Sequence, residues 1–216
     1  AAVNIFLVAG EASGDLHAAN LLAALQRLAP GVAAFGVGGE RLEQAGLECV
    51  AHTSELAHMG LVEVLREVPR IRRILLELVD EAVRRRPALA VLVDSPDFNL
   101  RLARKLRRRG IPVVLYVSPQ LWAWRQGRVR LVRRVAREVL CLLPFEPEFY
   151  HRHGVAARFV GHPLVDDFAG SGLLEAARGA AGGRRLALLP GSRVMEVRQL
   201  LPNMILALGR LDPVEV

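Results

Sequence analysis

The sequence predicts an α/β fold organised around a doubly wound parallel sheet, and two patterns carry that prediction. Short apolar strands alternate with amphipathic helices between residues 3 and about 160, as in repeated βαβ units. Each connection is long enough for a right-handed crossover, which makes neighbouring strands parallel. The predicted strands are 3–9, 32–37, 47–50, 88–94, 111–117, 138–143 and 157–160, and the predicted helices are 14–29, 40–45, 54–66, 70–86, 98–109, about 124–137 and 146–153.

The chain is expected to divide into two parts. Residues 1–164 carry the alternating pattern and form the first predicted domain, whereas residues 165–183 are rich in small residues and are interpreted as a linker. Residues 184–216 hold one predicted strand, 185–189, and one helix that runs to about residue 210. One strand and one helix cannot cover each other's apolar faces, so this part is expected to be the opening βα unit of a truncated second α/β domain. We therefore expect the chain to be a piece of a longer protein.

Composition predicts a cytoplasmic protein rather than an integral membrane or secreted one. Hydrophobic residues make up 52% of the 216 residues and the mean hydropathy is +0.26. No uninterrupted apolar run reaches the about 18 residues of a membrane span, and the N-terminal residues lack the basic region of a secretory signal. Cys49 and Cys141 have neither CxxC nor metal-ligand spacing, so we expect two reduced, largely buried thiols and no metal site.

The charge balance indicates an anionic partner. The net charge is +7 and the pI is about 10.7, carried by 28 arginines and the single lysine Lys105. Nucleic acid is one candidate, but no zinc-finger spacing or RNA-binding aromatic pattern accompanies the charge, and aromatic residues make up only 5% of the chain. Anionic lipid or a phosphorylated substrate fits at least as well. No oligomeric state follows from the sequence.

Two carboxylates follow the predicted strand 88–94. The carboxyl ends of parallel strands form the ligand crevice of such sheets, so Asp94 is the first catalytic candidate. The alternative is an acid that merely ends a strand in a solvated turn. Asp97 lies beyond Ser95 and Pro96 and directly before the apolar helical pattern, so we expect it to be the N-cap of the helix 98–109.

The first βα turn, Gly10-Glu11-Ala12-Ser13-Gly14-Asp15, is rich in glycine but lacks the GxGxxG spacing of dinucleotide sites and carries two acids. These acids argue against a phosphate at this turn. Glu11 is expected to hydrogen-bond sugar hydroxyls or to orient a neighbouring group. Asp15 is expected to be structural, complementing the dipole of its helix.

The turn Pro190-Gly191-Ser192-Arg193 joins the predicted strand 185–189 to a helix. It offers free backbone N–H groups, a hydroxyl and a guanidinium fork at a helix N-terminus, and these groups suit a diphosphate. An ordinary helix cap is the alternative interpretation.

Both tryptophans of the chain, Trp122 and Trp124, follow the predicted strand 111–117. Tryptophans beyond the carboxyl end of a strand can stack on a sugar or a base. Core packing at the sheet edge is the alternative.

Residues 59–86 carry more apolar positions than one core-facing stripe needs, interleaved with arginines. Part of this surface is predicted to lie in a membrane interface with the arginines on anionic head groups. The alternative is a helix pair packed on the sheet with a solvated basic face. The candidate membrane-contact residues are Met59, Leu61, Val62, Leu65, Arg66, Arg70, Arg72 and Arg73.

Taken together, eight motifs between residue 3 and about residue 206 resemble the lipid-A-disaccharide synthase family in order and in spacing. They are Val8-Ala9-Gly10-Glu11-Ala12-Ser13-Gly14-Asp15, Met59-Gly60-Leu61-Val62-Glu63-Val64-Leu65, Asp94-Ser95-Pro96-Asp97-Phe98-Asn99, Tyr116-Val117-Ser118-Pro119, Trp122-Ala123-Trp124-Arg125, Leu143-Pro144-Phe145-Glu146, Phe159-Val160-Gly161-His162-Pro163-Leu164 and Leu188-Leu189-Pro190-Gly191-Ser192-Arg193.

The resemblance implies an inverting glycosyltransferase with two Rossmann-like domains (GT-B type), peripheral to the inner membrane of a Gram-negative bacterium. Such an enzyme joins the sugar of UDP-2,3-diacylglucosamine to 2,3-diacylglucosamine 1-phosphate through a β-1,6 bond and releases UDP. The UDP-linked sugar is then a co-substrate, and no metal or other cofactor is required. The alternatives are another lipid glycosyltransferase, a UDP-GlcNAc 2-epimerase, or a basic nucleic-acid-binding module.

The resemblance also implies residue roles. Asp94 matches the family's proposed general base, Glu11 an essential glutamate and Arg193 an arginine of the donor domain. Gly191 and Ser192 accompany Arg193 as nucleotide-sugar candidates. The candidate substrate-binding residues of the other motifs are Gly10, Ser13, Gly14, Asn99, Ser118, Trp122, Trp124, Arg125 and His162.

Overall fold

The structure is a computed structural model, and it describes residues 3–54, 64–172, 186–191 and 194–210. The chain separates into two compact units, Ala1–Pro163 and Leu164–Val216.

The first unit is built on a seven-stranded sheet in the order β3-β2-β1-β4-β5-β6-β7, and every neighbouring pair is parallel. Most of the strands are continuous runs of apolar residues, as expected for strands covered by helices on both faces. The prediction of a doubly wound parallel α/β sheet is confirmed. The strands are β1 Val3–Ala9, β2 Val32–Gly38, β3 Leu47–His52, β4 Leu89–Val93, β5 Val113–Tyr116, β6 Glu138–Cys141 and β7 Ala157–Phe159.

Six described helices flank this sheet in two layers. Buried side chains of α1 and α2 share one apolar core with the sheet, and those of α3 to α6 share the core on the opposite face. The helices are α1 Ala12–Leu28, α2 Glu40–Gln44, α3 Val64–Arg85, α4 Pro96–Arg108, α5 Val129–Val135 and α6 Glu146–Arg152.

The strand order reverses between β1 and β4. The chain leaves β1 toward β2 and leaves β4 toward β5, in the opposite direction along the sheet. The two connections therefore diverge and leave a crevice beyond the carboxyl ends of these strands, which is where open α/β sheets bind ligands. The turns that follow β1 and β4 are the two turns with the candidate carboxylates.

Helix α4 begins two residues earlier than predicted, and Asp97 is not its N-cap. Ser95 occupies the N-cap position without a side-chain capping bond, and Pro96 fills the first helical position, where its fixed φ and missing N–H cost nothing. The carboxylate of Asp97 is turned to Arg128 and Arg125 instead, at 2.6 and 3.4 Å.

Two other helix predictions need correction. The predicted break between 54–66 and 70–86 is absent after residue 64, since α3 is continuous through Pro69; residues 55–63 lie outside the described residues. The predicted helix 124–137 is shorter because Arg125 has a left-handed backbone (φ 55°), and a 3₁₀ turn, Gln126–Arg128, precedes α5.

Helix α7, Pro163–Gly170, begins at the last residue of the first unit, and helix α8, Val194–Leu208, lies in the second. Helix α7 occupies the beginning of the segment interpreted as a linker, because Leu164, Val165 and Phe168 follow Pro163 at helical spacing. The predicted strand 185–189 is wrong for residues 186–189, which have no strand pairing. A strand needs a neighbour, and the described part of this unit offers none.

Candidate active site

A strained turn after β4 presents Asp94. Asp94 and Ser95 both have left-handed backbones, with φ of 54° and 41°. Asn99, which is 1% exposed, donates its side-chain amide to the carbonyl oxygens of Val93 (3.0 Å) and Asp94 (2.7 Å). Such backbone costs about 1–3 kcal/mol per residue and persists only where neighbouring groups enforce it. The buried Asn99 side chain therefore stabilises the turn through its backbone carbonyls and positions the Asp94 carboxylate.

The turn after β1 closes tightly against this one. A Cβ atom on Gly10 would lie 2.5 Å from the Ser95 hydroxyl oxygen and 2.8 Å from its Cβ. A Cβ atom on Gly14 would lie 3.5 Å from the Asp94 Cβ. The glycines of this turn thus allow the contact between the two turns, and Gly10 tolerates no side chain without a shift of Ser95.

The Asp94 carboxylate is oriented by two donors. The Ser13 hydroxyl donates to Oδ2 at 3.2 Å, and the Ser95 backbone N–H donates to Oδ1 at 2.8 Å. The Ser95 hydroxyl in turn donates to Oε1 of Glu11 at 3.4 Å. The two catalytic candidates named from the sequence are therefore joined through one serine. Sequence reasoning missed Ser95, whose place between Asp94 and Pro96 indicated only a turn.

Asp15 serves the fold, by a contact that the sequence does not reveal. It is 5% exposed and accepts the backbone N–H groups of Gly39 (2.6 Å) and Arg41 (3.2 Å). These groups lie at the beginning of α2, so Asp15 caps a second helix from the first turn of its own. Its structural role thus combines the predicted dipole position with a cap across 24 residues of sequence.

The two tryptophans have different surroundings. The Trp122 indole N–H donates to Oε1 of Glu146 at 3.1 Å, and its ring meets Phe145 edge to face at 4.9 Å. Trp124 is 55% exposed, and its face carries the guanidinium of Arg125 at 4.5 Å. Trp122 is therefore held by packing, whereas Trp124 presents a ring to solvent. Glu146, buried and missed by sequence reasoning, also accepts the Leu143 backbone N–H at 3.0 Å.

Left-handed backbone at residues other than glycine concentrates at this edge of the sheet. Of the five such residues in the described part of the chain, Asp94 and Ser95 follow β4, and Val117 and Arg125 follow β5. A β-branched residue such as Val117, with φ of 62°, is a particularly rare case. Strain of this kind clusters at ligand sites, so the backbone marks the same crevice as the carboxylates.

Ser118 lies beneath the β5 turn. It is 5% exposed, and among the described residues its hydroxyl oxygen is buried without a hydrogen-bond partner. The Tyr150 hydroxyl donates to the carbonyl of Pro119. Burial raises the pKa of Cys141 to about 12 and that of Cys49 to about 11. Both cysteines are free. Ser118 thus places a buried hydroxyl with no partner in the described part of the chain just after β5.

His162 approaches the site region from the end of the first unit. Its ring lies 6.0 Å from that of His17, edge to face, and the His17 ring lies 6.2 Å from that of Tyr116. His17 is one turn beyond Ser13 on α1, and Ser13 donates a hydrogen bond to Asp94. His162 therefore lies beside the helix that carries this donor.

The other predicted sites are only partly described. Gly191, in the second unit, has φ of 102°, and a Cβ on it would lie 2.6 Å from Oε2 of Glu196; Ser192 and Arg193 lie outside the described residues. In this turn the positive φ favours glycine, and the Glu196 Cβ, 2.9 Å from an added Cβ, leaves little room for a side chain.

The structure describes only part of the predicted membrane-contact surface. Residues 59–62 lie outside the described residues, and α3 includes Leu65 and Arg66 without a described side chain. Arg70, Arg72 and Arg73 are exposed, whereas the opposite face of α3 is buried in the sheet core. Among the described residues, no helix has the length and apolar content to cross a membrane, and no cluster of three metal-ligand side chains occurs.

Comparison with solved structures defines the class of fold. The structure of Anabaena HepE with UDP and glucose matches with a TM-score of 0.51 and 15% identity, over 99% of this chain and 59% of that one. UDP-GlcNAc 2-epimerase from Neisseria meningitidis, bound to UDP-GlcNAc, gives a TM-score of 0.51 and 10% identity over 83% of this chain and 52% of that one. These likenesses place the chain among the Rossmann-like α/β proteins.

Sequence comparison narrows the class to one family. The model of the family described as lipid-A-disaccharide synthetase matches residues 5–212. Curated lipid-A-disaccharide synthases from Anaeromyxobacter sp. (strain K), at 54% identity, and Myxococcus xanthus, at 50%, each match 96% of this chain and 55% of their own length. The chain belongs to this family, as its motifs predict, and spans about half the length of these relatives.

Proposed function

We propose that this chain is the acceptor-binding part of a lipid-A-disaccharide synthase. The complete enzyme transfers 2,3-diacylglucosamine from its UDP donor to 2,3-diacylglucosamine 1-phosphate, forming a β-1,6 bond and releasing UDP. The observation that carries the proposal is the Asp94 carboxylate, held by Ser13 and by the Ser95 backbone at the point where the strand order reverses. Family membership supports the transferase reaction and lipid-sugar substrates, and the particular donor and acceptor are those that the motif resemblance implies.

Asp94 acts as the general base in this proposal. The acceptor 6-hydroxyl attacks the anomeric carbon of the donor sugar as the bond from that carbon to the diphosphate breaks, and Asp94 takes the hydroxyl proton. The attack is in line, so the configuration at the anomeric carbon inverts. Each Asp94 oxygen receives one hydrogen bond and retains a lone pair for the incoming proton.

The remaining carboxylate and polar groups bind the acceptor. Glu11 is exposed at the tip of its turn and accepts hydrogen bonds from sugar hydroxyls, while Ser95 links it to Asp94. Trp124 offers its exposed ring to a sugar face. Gly10, Gly14, Asn99 and Trp122 act indirectly, since they permit or support the turns. Ser118 has a buried hydroxyl available to the acceptor, and His162 lines the site from the side of α1.

The donor is bound by the turn that contains Gly191, Ser192 and Arg193, through backbone N–H groups and a guanidinium on the diphosphate. In this proposal residues 1–164 are the acceptor domain, 165–183 connect the domains, and 184–216 begin the donor domain. The UDP-linked sugar is a co-substrate, and neither metal nor further cofactor is part of the reaction.

The lipid substrates imply work at a membrane surface. The enzyme is cytoplasmic and peripheral to the inner membrane of a Gram-negative bacterium, with the exposed arginines of α3 toward anionic head groups. Arg72 and Arg73 are the described residues best placed for that contact, because the opposite face of α3 is buried. Nucleic acid is not a partner in this proposal.

The decisive experiment replaces Asp94 in the complete enzyme. Asp94→Asn keeps the size of the side chain and its acceptor oxygen but removes the base, so turnover is expected to fall about 10²-fold or more with little change in acceptor KM. Asp80→Asn, an exposed acid on α3, is the matched control and retains full turnover. Near-normal turnover of Asp94→Asn excludes the proposed base.

A further inference from the structure

A cluster of charged side chains bridges the turns after β4 and β5. Asp97, in the first turn of α4, contacts Nη1 of Arg128 at 2.6 Å and Nη1 of Arg125 at 3.4 Å, in both cases through Oδ1. The two guanidinium groups therefore converge on one oxygen atom. The attraction of both groups to this carboxylate exceeds their mutual repulsion at such distances, so the cluster holds together while keeping an excess of one positive charge.

The orientation of Arg125 is fixed from three sides. Its guanidinium stacks on the face of Trp124 at 4.5 Å, its backbone is left-handed (φ 55°), and Asp97 holds one of its nitrogens. Stacking occupies the face of the guanidinium plane and leaves the N–H groups at its edge available for hydrogen bonds in that plane.

The cluster has unused hydrogen-bond donors. Each guanidinium carries five N–H donors, and within the described part of the chain neither Arg125 nor Arg128 has an ion pair other than the one with Asp97. Their side chains are 48% and 34% exposed, so a ligand can reach both. One carboxylate and two guanidinium groups leave a net charge of +1, which favours an anion.

The cluster also lies beside the proposed base. Asp97 is three residues beyond Asp94, and β4 and β5 are hydrogen-bonded neighbours, so the turns that follow them share one edge of the sheet. A ligand that presents a hydroxyl to Asp94 thus has the two arginines on the side of β5.

We propose that Arg125 and Arg128 bind the phosphate monoester of the acceptor sugar and thereby select the phosphorylated acceptor. This inference rests on the proposed function of the site. Paired guanidinium forks match the oxygens of a phosphate, and charge-assisted bonds of this type are the strong ones. Asp97 is a positioning residue, because it orients both forks without touching the ligand.

The test is calorimetric titration of this 216-residue chain with two short-chain analogues of the acceptor. One is 2,3-diacylglucosamine 1-phosphate and the other is the same sugar without phosphate. The wild-type chain is expected to bind the phosphorylated analogue at least about tenfold more tightly. Hydrogen bonds to charged groups typically raise affinity by about 10- to 100-fold. Arg128→Gln is expected to abolish most of that preference and to leave the affinity for the unphosphorylated sugar unchanged.

Two further variants separate recognition from folding and from general charge. Arg128→Lys retains the charge without the fork, so a partial preference is expected. Arg104→Gln removes an equal charge on α4 far from Asp97 in that helix and is expected to change neither affinity. Equal melting temperatures of all the variants show that the fold is intact.

The outcomes that overturn the inference differ from those that overturn the proposed base. Equal affinity of the unchanged chain for both analogues, absence of binding to either, or equal weakening of both by Arg128→Gln excludes phosphate recognition by this cluster. A loss of UDP affinity in Arg128→Gln, with acceptor affinity retained, assigns the arginines to the donor diphosphate and also overturns the inference. The role of Asp94 is decided separately, by turnover of Asp94→Asn.

Discussion

Charged side chains are held differently at the two ends of the parallel strands. We call the side of the sheet at the strands' carboxyl ends the carboxyl edge and the opposite side the amino edge. At the carboxyl edge Asp94 is held by Ser13 and Ser95, and Asp97 is held by two arginines. At the amino edge, where α4 and α5 end, a groove of about 450 Å³ is lined by arginines that make no ion pair within the described residues. These are Arg104, Arg107, Arg108 and Arg134.

This difference indicates that the number of exposed charges alone does not identify a ligand-binding site. The amino edge has more exposed arginines, but they lie near helix C-termini, where a cation is stabilised by the helix dipole without any ligand. The carboxyl edge has fewer charges, and they are fixed by hydrogen bonds and strained backbone. Fixed polar groups are the ones that can act on a substrate without reorganising.

Among variants that keep Asp94, the largest effect is expected from Gly10→Ala, in the turn after β1. The new methyl group would collide with Ser95, which orients Asp94 and contacts Glu11, so the turn must shift. Displacements of about 1 Å in a catalytic group can cost about 10²-fold in rate, and we expect a loss of that order in the complete enzyme. Gly170→Ala, where a Cβ meets nothing within 4 Å, is the control. Full activity of Gly10→Ala would mean that the two turns need not touch.

Asn99→Ala is the next test, and its main effect is on stability. It removes two hydrogen bonds and leaves the Val93 and Asp94 carbonyls without that donor, which is expected to cost about 1–3 kcal/mol in urea-induced unfolding. Asn20→Ala, at an exposed position of α1, serves as the control with an effect within about 0.5 kcal/mol. An equally small effect for Asn99→Ala would show that the turn needs no support from below.

Asp97→Ala tests a charge that is held but exposed. Asp97 is 60% exposed, and exposed ion pairs contribute about 0–1 kcal/mol, so a decrease in unfolding free energy below about 1 kcal/mol is expected. The same variant is expected to weaken selection of the phosphorylated acceptor, because both guanidinium groups lose their common partner. A large loss of stability with unchanged selection would reverse this assignment.

Arg104→Gln, at the amino edge, is expected to have the smallest effect. Its guanidinium has no ion-pair partner in the described residues, so unfolding free energy and turnover should stay within experimental error, about 0.5 kcal/mol in the former. A tenfold fall in turnover would give the amino edge a function and end the contrast between the two edges.

The sheet was predictable from the sequence because it follows from periodicity, and the candidate site was proposed from the ends of the predicted strands. Apolar runs placed all seven strands, the rule for carboxyl ends selected Asp94, and the acidic tip of the first βα turn selected Glu11. The helix start at Pro96 was missed because the N-cap rule was applied to Asp97 without weighing the adjacent proline. The strand expected at 185–189 failed because an apolar run specifies a strand only when a neighbouring strand is available.

Contacts between distant segments were not predictable. Asp15 caps a helix 24 residues away, and Arg128 meets Asp97 only after β4 and β5 have paired. Glu146 supports Trp122 from the next turn along the sheet. Such partners are determined by three-dimensional packing, and a single sequence contains no local pattern that names them.

The central position of β1 in the sheet also determines the order in which the strands can pair during folding. The strands β1, β2 and β3 can pair as they are synthesised, but the second edge of β1 stays open until β4, whose turn brings Asp94 to a serine 81 residues earlier. Closing so long a segment carries an entropic cost that slows folding, and an unpaired apolar edge invites association with other chains. The crevice between the turns after β1 and β4 therefore forms only when these two strands pair, and a nascent chain that stops before β4 is expected to expose an apolar strand edge that favours aggregation.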